Sequence, residues 1–235
     1  MERPIYLYLS VIAIIGLILV SALCVSKGAN ISQMQQFKTL DVNGEGFVYI
    51  EPDVADIYVA VETFASSASE AQNKNSNIVN ALILSISGSS YAKEITTIGY
   101  FIYPEYDYSF TPPTLTGYKA VTNLRIRTNK INAVGTLLDL LVENGATEIN
   151  SISFSLSEKK AAQAREQALK DAVNNANSKA EQLAKEAKII LGKPVHVAES
   201  YSMPYLSTMR YAAGTTILPE EIKVSAAVSI SYEII

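Results

Sequence analysis

The stretch GEGFVYIEPDVADIYVAVET, residues 44–63, holds a glycine pair, a short apolar run, a Glu-Pro-Asp break and a second apolar run. In the second run Ile57, Val59 and Val61 alternate with Asp56, Tyr58 and Glu62. That period of two marks a strand with one buried face. Pro52 sets φ for a turn between Glu51 and Asp53. The stretch therefore reads as two strands, residues 39–50 and 55–64, joined by that turn. Gly44-Glu45-Gly46 lacks the third glycine and the following helix of a dinucleotide-binding loop. Its glycines read instead as a bulge or as a close approach of another backbone.

Outward from this stretch, helical spacing of Ala71, Ile78, Val79, Leu82 and Ile86 predicts a helix over 69–86, capped by Ser67 or Ser69. Strands are expected at 94–103 and 116–128, separated by the Pro- and Tyr-rich sequence PEYDYSFTPPTL, which reads as a long exposed loop. A short helix over 131–144 stops at Gly145, and a strand follows over 149–156. From Ser157, a fair N-cap, a helix is expected to run to about Leu191 before Gly192 and Pro194 end it. Its stripe is Ala161, Ala164, Ala168, Ala172, Ala176, Ala180, Leu183, Ala187 and Ile190, whose alanines let a helix lie close to a sheet or to another helix. A brief strand at 195–199, a loop from Ser200 to Thr216 and a closing strand at 222–234 complete the chain. The order gives an α+β fold with a mostly antiparallel sheet, helices on one face, two shorter helices and one long alanine-rich helix. The two β-β-α stretches, 39–86 and 94–144, look alike in layout.

Composition excludes several classes of function. The net charge of -4 offers no basic field for nucleic acid. The single cysteine, Cys24, lies in the apolar N-terminal stretch, so the folded part has neither disulfide nor thiolate site. One histidine, His196, cannot build a multi-histidine metal centre, and no cofactor site is legible. It reads as a strand histidine opposite the face of Val195 and Val197. Nothing around it resembles a nucleophile-base arrangement, so no catalytic residue is assigned.

Ile5 to Val25 carries no charge over 21 residues. A spanning helix needs about 20 residues, whereas a cleaved signal core is usually about 7–15. Residues 1–25 are thus expected to anchor the chain in a membrane, with cleavage near Val20-Ser21-Ala22 as the alternative. Residues 26–38 read as a juxtamembrane linker that contains the sequon Asn30-Ile31-Ser32, and 39–235 as the exported domain. Two groups could form contact faces. Lys119, Asn123, Arg125 and Arg127 share one side of a strand and could line a groove or pore for an anionic ligand, or form an ordinary solvated face. Tyr103, Tyr106, Tyr108 and Tyr118, with Tyr100, could form an interface or cover the edge of the core.

Several motifs recur in a fixed order: Val42-x-Gly44-x-Gly46 before Pro52-Asp53, Tyr103-Pro104-x-Tyr106-x-Tyr108 before Gly117-Tyr118-x-Ala120, and Asn144-Gly145-Ala146 before Ile152-x-Phe154. The alanine-rich helix closing in Leu191-Gly192-Lys193 and the strand from Val224 to Val228 follow. Over residues 39–235 this order resembles the SIMPL-domain family, with Pro219-Glu220-Glu221 where members tend to have Pro-Gly-Glu. The resemblance implies an α+β fold, an envelope location, a link to stress tolerance, assembly into large hollow or channel-like oligomers and no established enzyme activity. The expected function is therefore that of a non-enzymatic envelope protein whose exported domain self-assembles. A monomeric binding module for an anionic or peptide-like ligand is the alternative.

Overall fold

A computed structural model describes residues 38–202, 207–209 and 219–235. Ile5–Val25, Asn30 and the linker before Lys38 lie outside the described residues. The elements run β1 (Thr39–Ile50), β2 (Val54–Ala65), α1 (Ala68–Gly88), β3 (Glu94–Asp107), β4 (Thr114–Thr128), α2 (Val134–Glu143), β5 (Glu148–Ser155), α3 (Glu158–Ala187), β6 (Leu191–Ser202), β7 (Ser207–Met209) and β8 (Ile222–Ile234). A 3-10 turn at Ile131–Ala133 leads into α2.

The strands form two sheets rather than the single one expected, with order β1-β8-β6 in one and β3-β4-β2-β5-β7 in the other. Every described pairing is antiparallel. β1 and β2 are consecutive but belong to different sheets: β1 pairs along its whole length with β8. The resemblance in layout between 39–86 and 94–144 is therefore not a structural repeat. The unit that does exist starts one strand later. β2-α1-β3-β4-α2-β5, with strand order β3-β4-β2-β5, is the ferredoxin-like split βαβ arrangement.

Each sheet has its own core. In the larger, Ile57, Val59, Val61, Leu124, Ile126, Ile152 and Phe154 pack beneath Leu82 and Ile86 of α1 and Leu137, Leu138 and Leu141 of α2. In the smaller, Val42, Ala226, Val228, Ile230 and Tyr232 pack beneath Ala168, Ala172, Ala176 and Ala180 of α3. The alanine stripe lets α3 descend until backbone meets backbone. A Cβ on Gly44 would lie 2.1 Å from the Ala172 carbonyl oxygen, and one on Gly46 2.1 Å from that of Ala168. β1 and β8 pair without any shift of register, so the glycines mark close approach and not a bulge.

Ser67 caps α1 by accepting from the Glu70 amide at 3.2 Å. α3 ends earlier than expected. Lys188 adopts a left-handed conformation (φ 56°) and caps the helix through the carbonyls of Ala184 and Lys185. The buried stripe thus finishes at Ala184, leaving Leu183 and Ile190 exposed, while Gly192 and Pro194 fall inside β6. The expected loop over 104–115 is largely strand: β3 runs to Asp107 and β4 starts at Thr114. Pro104 is tolerated there because β3 is an edge strand. The loop expected after Ser200 contains β7, which pairs with β5 at Ile152–Phe154.

Asp53 joins the two sheets. Its amide donates to the Ser155 carbonyl at 3.2 Å, and its carboxylate accepts from the Ser157 amide at 2.6 Å and the Ser157 hydroxyl at 2.7 Å. Burial pushes the Asp53 carboxyl up, but the Ser157 hydrogen bonds and the charge of Lys160 outweigh it and hold the group below the ordinary aspartate range. Because the folded value is the lower one, this stabilisation is full above the unfolded value of about 3.9 and is lost as pH falls through the folded value. Acid unfolding of Asp53→Asn is accordingly expected to be shallower below about pH 4 than that of the parent chain. Urea midpoints measured from pH 7 down to pH 2.5 check this; identical slopes would show that Asp53 does not contribute.

Candidate functional site

The open face of the larger sheet carries the expected cationic positions. Alternation on β4 turns Ala120, Leu124 and Ile126 into the core and leaves Lys119, Asn123, Arg125 and Arg127 on the opposite face. The register then sets a carboxylate beside each cation. Asp56 stands directly across from Arg127 and receives a two-pronged hydrogen bond, Nε to Oδ1 at 2.8 Å and Nη2 to Oδ2 at 2.9 Å. Arg125 Nη2 donates to Glu94 Oε1 at 2.9 Å and to Thr96 Oγ1 at 3.3 Å. Lys119 Nζ lies 2.5 Å from Glu62 Oε2. Asn123 stands between Ala60 and Gly99.

The electrostatics follow from these pairs. The hydrogen bond to Asp56 raises the Arg127 guanidinium further above its already high range, and that to Glu62 raises the Lys119 ammonium. The Thr96 hydroxyl, followed by the charge of Arg125, holds the Glu94 carboxyl below its ordinary range. A face whose cations each have a carboxylate neighbour presents alternating signs instead of a positive field. Arg125 Nε, 3.9 Å from Asp56, is the one buried side-chain nitrogen or oxygen among the described residues without a hydrogen-bond partner.

The Asp56–Arg127 pair is half-sheltered and two-pronged, which places its contribution at the upper end of surface ion pairs, at about 1 kcal/mol. A double-mutant cycle of Asp56→Ala and Arg127→Ala is expected to give a coupling of about 1 kcal/mol in urea denaturation. Simple additivity would mean the pair is only solvated surface.

The tyrosines do not form one surface. Tyr118 faces the helices, half-buried against Ala65, Ala71 and Ala120. Tyr103 stands across from Lys119, while Tyr106 and Tyr108 continue towards the turn with ring centroids 6.3 Å apart. Phenylalanines join them. Phe101 is 55% exposed, Phe64 53%, Phe110 60% and Tyr108 77%. Ile98, Tyr100 and Leu115 are exposed as well. The β3–β4 hairpin thus presents apolar side chains on a sheet edge that pairs with no other described strand. The phenylalanines carried a sequence signal, since Phe101 and Tyr103 alternate in phase. The carboxylates Asp56, Glu62 and Glu94 needed the strand register to be found.

His196 is exposed on β6 opposite Ser231. Among the described residues no group of three His, Cys, Asp or Glu side chains is placed to hold a metal ion. No described helix is long and apolar enough to cross a membrane.

The SIMPL family, described as "Protein of unknown function (DUF541)", matches residues 40–232. The 26 kDa periplasmic immunogenic protein of Brucella melitensis is 29% identical over 190 residues, 78% of this chain and 75% of the relative. The uncharacterized protein YggE of Escherichia coli K12 is 27% identical over 190 residues, 78% of this chain and 76% of the relative.

Proposed function

The chain belongs to the SIMPL family, and we propose that it is a non-enzymatic extracytoplasmic protein whose folded domain self-associates into a scaffold or channel-like assembly. The observation that carries this reading is the β3–β4 hairpin, where Ile98, Tyr100, Phe101 and Tyr106 stand exposed on the edge strand β3 and Tyr108 and Phe110 in the turn beyond it. Apolar patches of this kind on a folded chain mark contact surfaces. An extracytoplasmic location is supported by the periplasmic name of the Brucella relative and by the apolar Ile5–Val25 stretch, which serves as anchor or export signal. The competing reading, capture of an anionic ligand on the β4 face, would have to displace the carboxylates that hold Lys119, Arg125 and Arg127.

The paired substitution Phe101→Asp and Tyr108→Asp tests the assembly reading. Both side chains are exposed, so the fold should survive, with circular dichroism and thermal midpoint close to those of the parent chain. The particle mass is expected to fall. An unchanged mass would remove the hairpin as a contact surface.

A further inference from the structure

We propose that the outer face of the larger sheet, at the corner made by Glu62, Phe64, Phe101, Tyr103 and Lys119, binds a neutral carbohydrate chain. This goes beyond the self-association reading and does not depend on it.

The register builds the corner in two rows. Lys119 of β4 stands between Phe64 of β2 and Tyr103 of β3, and Val121 stands between Glu62 and Phe101. These side chains point away from the helices, because Val61, Ile102, Ala120 and Thr122, one position out of phase, pack on the helical side. The pairing of β5 with β2 stops at Ala60, so the corner lies beyond β5 and its neighbour β7.

Two of the rings are laid down on the sheet. The Phe101 ring leans along β3 over Gly99, where a Cβ would meet its Cε2 at 2.9 Å. The Phe64 ring leans across to β4 and fills the space that a Cβ on Gly117 would need. Each is about half exposed, as expected of a ring with one face on the sheet and the other in water. Tyr103 and Phe64 stand on either side of β4, two strand spacings or about 10 Å apart.

The charge pattern selects the ligand. Between the rings Lys119 Nζ lies 2.5 Å from Glu62 Oε2, with the Tyr103 hydroxyl close by. Further along the same face Glu94 and Asp56 balance Arg125 and Arg127. Each cation therefore has its carboxylate, and the face carries no net charge. A phosphate or an acidic polymer would have to displace a carboxylate from its partner. An apolar surface would bury Glu62 and Lys119 together and strip both of water, which is costly. A sugar does neither. Its hydroxyls donate to Glu62 and accept from Lys119, so both charges stay hydrogen-bonded, while its C–H faces cover the exposed sides of the rings. An extended chain of β-1,4-linked pyranoses, which shows flat C–H faces, suits rings set apart along a sheet.

Calorimetric titration of the full chain, in a detergent without a sugar head group, with the N-acetylglucosamine tetramer tests the site. Saturable binding is expected, and none with inorganic tripolyphosphate. Phe64→Ala should weaken binding about tenfold, the worth of one ring contact, and Phe64→Tyr should retain it. Lys119→Met, which removes a charged donor, should weaken it by at least as much. Phe64 is half exposed and lies off the hairpin edge, so the thermal midpoint and the particle mass of Phe64→Ala should match those of the parent chain. A folded parent chain that gives no binding heat, or equal binding by Phe64→Ala, would overturn the site. Binding of tripolyphosphate in place of the tetramer would overturn the neutral ligand. A lower mass for Phe64→Ala would also overturn the proposal, by assigning the ring to a contact between copies.

Discussion

Gly44→Ala and Gly46→Ala are each expected to destabilise the fold by about 3 kcal/mol, the upper end of what overpacking costs in well-packed cores. The added methyl would meet main-chain carbonyl oxygens of α3 at 2.1 Å, and a helix backbone cannot step aside as a flexible side chain can. To accommodate it α3 would have to rise from the sheet, giving up contacts of Ala168, Ala172 and Ala176 together. For a domain of this size the thermal midpoint should fall by about 10 °C. Gly135→Ala in α2 is the matching control, since a Cβ there meets nothing within 4 Å. It should be neutral or add up to about 1 kcal/mol through helix propensity. Equal losses at all three positions would contradict the close approach of α3 to β1.

Asn75→Ala is the second large effect, at about 3 kcal/mol, because it strands several buried groups at once. Asn75 lies on α1 with no exposed surface. Its Nδ2 donates to the Val61 carbonyl at 2.8 Å and to the Ala120 carbonyl at 3.2 Å, linking β2 to β4, and its Oδ1 accepts from the Thr122 hydroxyl. Removing the amide leaves the Thr122 hydroxyl and a cavity between helix and sheet. Thr122→Val should cost less alone, and its effect should nearly vanish in the Asn75→Ala background, since the hydroxyl has then already lost its acceptor. Urea denaturation of the two single variants and the double variant measures this directly. Additive losses would mean that the two side chains act independently.

Individual elements of this fold are readable from the chain because period-two and period-3.6 patterns report which face is buried. β1 and β8 agree with expectation to the residue, and the alanine spacing locates the buried stripe of α3. Pairing was less legible. β1 and β2 share alternation and a turn, yet their partners are separated by much of the chain: β1 joins β8 across a span that includes the whole larger sheet. Local pattern carries no information on such a contact, so the ferredoxin-like frame beginning at β2 was hidden by counting strands from β1. The end of α3 was misplaced because Lys188, unlike Gly192, is not a residue expected in a left-handed cap.

The candidate face was legible in half. Lys119, Arg125 and Arg127 stand together as their spacing required, but the spacing on β4 says nothing about what faces them from β2 and β3. Asp56 and Glu62 share the outward phase of β2, so their meeting with the β4 cations became visible only with the register. The tyrosines separated for a related reason. Tyr118 differs from Tyr103 in parity relative to the sheet, and parity decides whether a ring covers the core edge or faces solvent.

The central claim is that the folded domain assembles with copies of itself. The most direct measurement is the protein mass of the full chain by light scattering in detergent over about a hundredfold range of concentration. A discrete mass that is a fixed multiple of the 25.5 kDa chain and does not change on dilution is expected. A mass of one chain throughout that range would contradict it.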